Sequence, residues 1–265
     1  MPLLDLLILA LIQGITEFLP ISSSGHLILL PALTGGEDQG VALDVAVHVG
    51  TLVAVILYFR ADVAEALRGT ADLLRGRHTP ARRLALGLAI ATIPVIVFGL
   101  FLKLSGLSDG MRSITVIGWT MLGFGILLYI ADHIGKRGRE VADWTLKHAL
   151  IMGLWQALAL IPGTSRSGIT ITGARFLGYD RIPAARIAML MSIPTILASA
   201  VVIGADIPAA DADLWRDAAI AAVLAGLAAL AALAVMMRFL ERVSYTPYVI
   251  YRVILGVILL GIAYS

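Results

Sequence analysis

Apolar positions along this chain gather into long runs set apart by short polar stretches. A run of about 20 apolar residues can cross the hydrocarbon core of a bilayer, whereas one of about 10–14 is more often buried or re-entrant. Six segments have the spanning length: 41–59, 84–104, 111–131, 183–205, 217–238 and 247–264. Two stretches are broken. Residues 3–33 are interrupted by Pro20 and a run of serines, and residues 147–178 by Pro162-Gly163-Thr164-Ser165-Arg166-Ser167-Gly168. Each reads as a re-entrant hairpin, two short helices meeting at a polar turn. Such a turn is tolerated at membrane depth only where protein or a water-filled cavity covers it.

The loop charges add an orientation. Arg60, Arg68, Arg75, Arg77, Arg82 and Arg83 put the 60–83 loop on the cytoplasmic side. Lys136, Arg137, Arg139 and Lys147 do the same for 132–147, as do Arg238 and Arg242 for 239–246. Asp206, Asp211, Asp213 and Asp217 put 206–217 outside, and the nearly neutral 105–112 loop lies outside by parity. The first hairpin must then begin and end outside, and the second inside. Each half is a hairpin followed by three spans, in opposite orientation, which is an inverted-topology repeat. The expectation is an all-α polytopic membrane protein forming one integral domain over 1–265, with halves of about 1–131 and 147–265. In such a fold the hairpin tips meet near the midplane.

Composition agrees. Of 265 residues, 59% are hydrophobic and 14% charged, against about a quarter charged in soluble domains. Mean hydropathy is +0.93 and net charge +2. With no cysteine there is no disulfide framework and no thiol chemistry. Leu3 to Leu11 lacks a basic flank and contains Asp5, so it is expected to belong to the mature protein.

Candidate chemistry concentrates at the two tips. Gln13 precedes Glu17 by one helical turn, so both share a face. Phe18-Leu19-Pro20-Ile21, Ser22-Ser23-Ser24-Gly25 and His26 follow. A carboxylate in an apolar segment is by default a functional hypothesis. A hydroxyl one turn from His26 resembles an activated nucleophile, and Glu17 could orient the imidazole, act as base or hold a metal ion. In the second tip, Thr164 or Ser165 can cap a helix whose N-terminus attracts anions. Arg166 adds a fork of donors matched to phosphate oxygens, and Ser165, Ser167 and Thr170 add hydroxyls. The plainer alternative is a pair of kinked helices whose serines cap the backbone and whose Arg166 pairs with Glu17. Asp44 and His48 are expected to face the interior as a supporting pair. Arg175 lines the second hairpin or snorkels to its mouth, and Trp119, Trp144, Trp155 and Trp215 suit interface belts.

At these two stretches the sequence resembles the bacterial undecaprenyl-pyrophosphate phosphatase family of the bacitracin-resistance type. The family's first motif, Glu/Gln-x-x-x-Glu, Phe-Leu-Pro and a Ser-Ser-Ser/Thr-Gly-His run, stands here as Gln13 to His26. Its second, Pro-Gly-x-Ser-Arg-Ser-Gly and a following Thr, stands as Pro162 to Gly168 and Thr170. The resemblance covers essentially the whole chain. Position 13 is Gln where many members have Glu, which bears on any mechanism needing two carboxylates.

The resemblance implies hydrolysis of undecaprenyl pyrophosphate to undecaprenyl phosphate and inorganic phosphate. That recycles the lipid carrier of cell-wall synthesis and gives bacitracin resistance. It implies an inner-membrane enzyme open toward the outer face, supported by magnesium or calcium and using no organic cofactor. The expected partners are a polyprenyl diphosphate lipid and the membrane, with no nucleic acid and with a homodimer left open. In the expected mechanism Arg166 and the amides of Gly163 to Ser167 hold the diphosphate. Ser23 attacks the terminal phosphorus, and His26 or Glu17 takes its proton. Gln13, Ser22, Ser24, Thr164, Ser165, Ser167 and Thr170 complete the binding set. The alternative has Glu17 activating water or binding the metal. A different class of function, a secondary transporter or flippase of prenyl phosphate, shares the architecture.

Overall fold

The computed structural model describes residues 2–34, 40–135, 137–204 and 212–265. The charges expected of Lys136, Asp206 and Asp211, and the last residue of the 183–205 span, lie outside them. The described chain is helical: α1 (Leu3–Thr16), α2 (Ser23–Thr34), α3 (Val41–Tyr58), α4 (Arg60–Leu74), α5 (Pro80–Ser105), α6 (Leu107–Gly110), α7 (Ile114–Ile134), α8 (Leu146–Ala157), α9 (Arg166–Phe176), α10 (Arg181–Gly204), α11 (Ala212–Leu240) and α12 (Thr246–Tyr264).

Six of these (α3, α5, α7, α10, α11 and α12) are long and apolar enough to cross a membrane. They match the six runs read from the sequence, with ends shifted by a few residues. The lipid requires each span to satisfy its own backbone, so length and hydropathy suffice to mark it. The two broken stretches are helix pairs. α1 and α2 flank a turn over Glu17–Ser22, and α8 and α9 flank a 3-10 turn (Leu158–Leu160) and the loop to Ser165.

Part of the 60–83 loop is not a loop. α4 occupies Arg60–Leu74, and its Asp62 is buried against Arg186 of α10, with Nη2–Oδ1 at 2.5 Å. The sequence shows only a cluster of arginines there, because the partner that organises the helix is 124 residues away.

Packing crosses between the early and late helices. α1 lies on α11 and α8 on α5; α3 lies on α11 and α10 on α5; α3 also meets α10, and α7 meets α12. The shared core includes Phe18, Val55, Leu128, Ile171, Met189, Leu233 and Tyr245. α3 and α11 approach closely at Gly50, where a Cβ would stand 2.0 Å from the Ala222 carbonyl oxygen. Small residues permit such contact between apolar helices.

Three side chains depart from expectation. Arg175 stays within the second hairpin but does not snorkel: it is fully buried, its Nε donating to Asp132 at 3.1 Å. Trp144 is buried over Gly87 rather than placed in a belt. Trp155 covers Gly173 and meets Phe176 at 5.8 Å between ring centroids.

Candidate active site

The two tips are built alike. After Pro20 the chain turns at Ser22, which holds φ +74° although it is not glycine. Its Oγ accepts from the Gly25 amide at 3.3 Å and faces Ser24 Oγ at 3.3 Å. In the second tip Ser165 holds φ +70°, accepts from the Gly168 amide at 3.1 Å and faces Ser167 Oγ at 3.2 Å. A left-handed non-glycine residue is strained by about 1–3 kcal/mol and persists where its surroundings over-determine it. Here a cap bond and packing do so. Ser165, rather than Thr164, caps α9. Between the tips, Ser167 Oγ donates to the Leu19 carbonyl at 2.9 Å.

Glu17 joins the two. It sits at the end of α1, 6% exposed. Its Oε2 accepts from Gln13 Nε2 at 2.8 Å and from Ser23 Oγ at 2.6 Å. Its Oε1 accepts from Arg166 Nη2 at 2.5 Å, across 149 residues of chain. Arg166 also donates from Nη1 to the Ser192 carbonyl at 3.0 Å, which fixes the fork. A charge-assisted bond between mostly buried partners is strong, and removing either partner leaves a costly lone charge.

These groups border a cavity of about 460 Å³. Glu17, Ser23, Ser24, Ser165 and Arg166 line it. The other candidates stand back from it. Gln13 braces Glu17 from behind, and Ser22 and Ser167 hold the tips. Gly163, at φ +84°, packs where a Cβ would meet Thr120 Oγ1 at 2.2 Å. Thr164 is fully buried, with no partner for its hydroxyl among the described residues. Thr170 returns its hydroxyl to the Arg166 carbonyl at 2.7 Å.

His26 is not brought to Ser23. Its Nδ1 meets the Ser22 carbonyl at 2.6 Å and its Nε2 meets Tyr251 Oη at 2.6 Å. Both ring nitrogens are engaged away from the cavity. The imidazole that does reach Glu17 is His48, with Nε2 3.7 Å from Oε2. Its Nδ1 is bonded to the Asp44 carbonyl at 2.7 Å, so Nδ1 carries a hydrogen and Nε2 faces the cavity. Sequence reading places Asp44 and His48 inside the protein as a supporting pair. It missed Arg112, Gln156, Thr195 and Ser199, which also line the cavity. Gln156 had a signal, since Gln156 to Pro162 answers Gln13 to Pro20 ahead of each polar turn; Arg112 had none, lying in a loop read as nearly neutral.

A family described as bacitracin resistance protein BacA matches residues 6–258. The chain belongs to the BacA family. The chain is similar to several curated proteins over nearly their full length. An undecaprenyl-diphosphatase of Jannaschia sp. (strain CCS1) is 68% identical over 267 residues, covering 100% of both chains. One of Ruegeria pomeroyi is 64% identical with the same coverage. A more distant undecaprenyl-diphosphatase, of Hahella chejuensis, is 48% identical over 256 residues, 96% of this chain and 95% of its own. The BacA match spans both tips, so Glu17 and Arg166 fall inside it.

Proposed function

We propose that this chain hydrolyses undecaprenyl diphosphate to undecaprenyl phosphate and inorganic phosphate, returning the lipid carrier of peptidoglycan synthesis to use. One observation carries the reading. Glu17 accepts the Ser23 hydroxyl on one oxygen and the Arg166 guanidinium on the other, beside a cavity set among apolar helices. The names of the BacA relatives favour hydrolysis over the transporter reading.

The chemistry follows from the shared carboxylate. Diphosphate oxygens compete with Glu17 for Arg166. As Arg166 turns to the phosphate, Glu17 is left facing Ser23 and free to take a proton. Ser23 Oγ bonds to the terminal phosphorus while the bond from that phosphorus to the bridging oxygen breaks. The Ser23 proton passes to Glu17 Oε2, and undecaprenyl phosphate departs with the electron pair and that proton. Water then attacks the phosphoserine. Its proton travels through Glu17 back to Ser23 Oγ, and inorganic phosphate leaves. Preorganised donors at the phosphate typically supply about 3–4 kcal/mol of transition-state stabilisation each.

The described residues do not form a protein cage for a divalent cation, but a cation that arrives with the diphosphate would need only the Glu17 carboxylate beside the phosphate oxygens. Among the described residues no three acidic or histidine side chains gather. The carboxylate at the junction already accepts from Arg166, Ser23 and Gln13. Gln13 supplies a donor where a second carboxylate would be a ligand.

The inverted repeat is part of the same proposal. Its support is the matched serine turns and the reciprocal packing of α1 on α11 with α8 on α5. So is the location, an inner membrane with the site toward its outer face. Val41, Arg112 and Ile203 line the cavity at helix ends remote from the arginine-rich segments.

The test is phosphate release in detergent from a long-chain prenyl diphosphate. Wild type should turn over, and Glu17→Ala and Arg166→Ala should each lose about 100-fold or more. A phosphoserine at residue 23 should be trapped by acid quench. Full activity in Ser23→Ala would remove the serine from the mechanism and leave water as nucleophile.

A further inference from the structure

Arg252 is the one charged residue of α12, and it is fully buried. Among the described residues it forms no ion pair. Its guanidinium is instead surrounded by carbonyl oxygens from three segments. Nη1 donates to Pro20 of the first tip at 3.4 Å. Nη2 donates to Gly163 at 3.1 Å and Thr164 at 2.9 Å, both in the second tip. It also reaches Thr120 at 3.3 Å, and Nε reaches Met121 at 3.2 Å, both on α7. Glycines make the room. A Cβ at Gly168 would stand 2.9 Å from Nη1, and one at Gly125 3.1 Å from the Arg252 Cβ.

A cation buried without a carboxylate is expensive, and an apolar side chain of similar length would fill the space without that penalty. The carbonyls indicate why the charge is kept. Every described peptide bond is trans, so within one peptide unit the C=O and the N–H point in opposite directions. The Thr164 carbonyl points at Arg252; the Ser165 N–H therefore points away from it. Ser165 and Arg166 line the cavity, and Arg252 does not. The Ser165 amide belongs to the unpaired start of α9, where phosphate oxygens are favoured.

We propose that Arg252 is a positioning residue that locks the two tips together and turns the Ser165 amide toward the cavity to receive a phosphate oxygen of the substrate. This rests on the diphosphate reading above. The same contacts hold the φ +70° of Ser165 from behind, and they leave the guanidinium charge unneutralised on the far side of the anion site.

The test uses the full chain in detergent with two readouts: phosphate release from a long-chain prenyl diphosphate, and calorimetric binding of inorganic pyrophosphate. Arg252→Lys keeps the charge but loses the fork. It should lower kcat about tenfold or more and weaken pyrophosphate binding about fivefold or more, with KM for the lipid changing less. Gly125→Ala leaves residue 252 in place and presses on its side chain, at 3.1 Å from Cβ and 3.5 Å from Nε. It should produce the same two losses while the melting temperature holds, so the test survives if Arg252→Lys folds poorly. A lowered melting temperature with unchanged kcat and pyrophosphate affinity in the folded variants would overturn the proposal and leave Arg252 a packing residue. If wild type binds pyrophosphate but releases no phosphate, the hydrolysis reading fails. The binding arm still decides the role of Arg252.

Discussion

The two histidines near the tips are separated by what their ring nitrogens touch. His26 spends one on the Ser22 carbonyl and one on Tyr251, and their rings stack at 5.7 Å. His48 keeps Nε2 toward Glu17 and the cavity. His26→Gln should therefore keep phosphate release within about tenfold of wild type, whereas His48→Ala should lose more than that. Steady-state rates on matched preparations decide it, and the opposite order would return the imidazole role to His26. Sequence reading singled out Glu17, Ser23 and Arg166, which the structure brings together, because polar groups in apolar sequence are conspicuous. It could not show where the His26 ring turns, because proximity along the helix says nothing of Tyr251, 225 residues away. Arg252 stayed unread for the same reason, since its meaning lies entirely in carbonyls of other segments.

At the scale of elements, helix contacts set the tolerances. Gly50→Ala would drive a methyl into the Ala222 carbonyl and force α3 away from α11. Overpacking of this kind destabilises by about 1–3 kcal/mol, so the variant should melt several degrees lower. Loss of activity should track loss of fold. Gly163→Ala should also destabilise, because its methyl meets Thr120 and the Ile117 carbonyl and alanine is strained at φ +84°, but its displacement falls on the second tip itself. Its activity should fall in protein that remains folded, as judged by monodispersity and helicity. The spans were legible because each must be apolar from end to end. α4 was not, since Asp62 makes sense only beside Arg186. The broken helices were legible as interruptions, but the left-handed serines that shape them carry no sequence mark that a cap serine lacks.

Across the whole molecule, early and late helices interleave: α1 on α11, α5 on α8, α3 on α10 and α11, and α7 on α12. Fragments 1–135 and 137–265 should each be inert alone and should regain phosphate release when co-expressed. Activity from either fragment by itself would contradict a site shared across the interleaved packing. Mixing of separately purified fragments should recover far less, since each would have hidden its apolar faces in detergent.

Arg252 also sets the order in which competence arrives during synthesis. A growing chain has already made Glu17, Ser23 and Arg166 when α9 enters the membrane. Until α12 follows and its guanidinium reaches Pro20, Gly163 and Thr164, the tips are joined only by the Glu17–Arg166 and Ser167–Leu19 bonds, without the clamp that fixes them from behind. An unfinished chain would thus be a harmless one, unable to cleave the lipid carrier before its own insertion is complete.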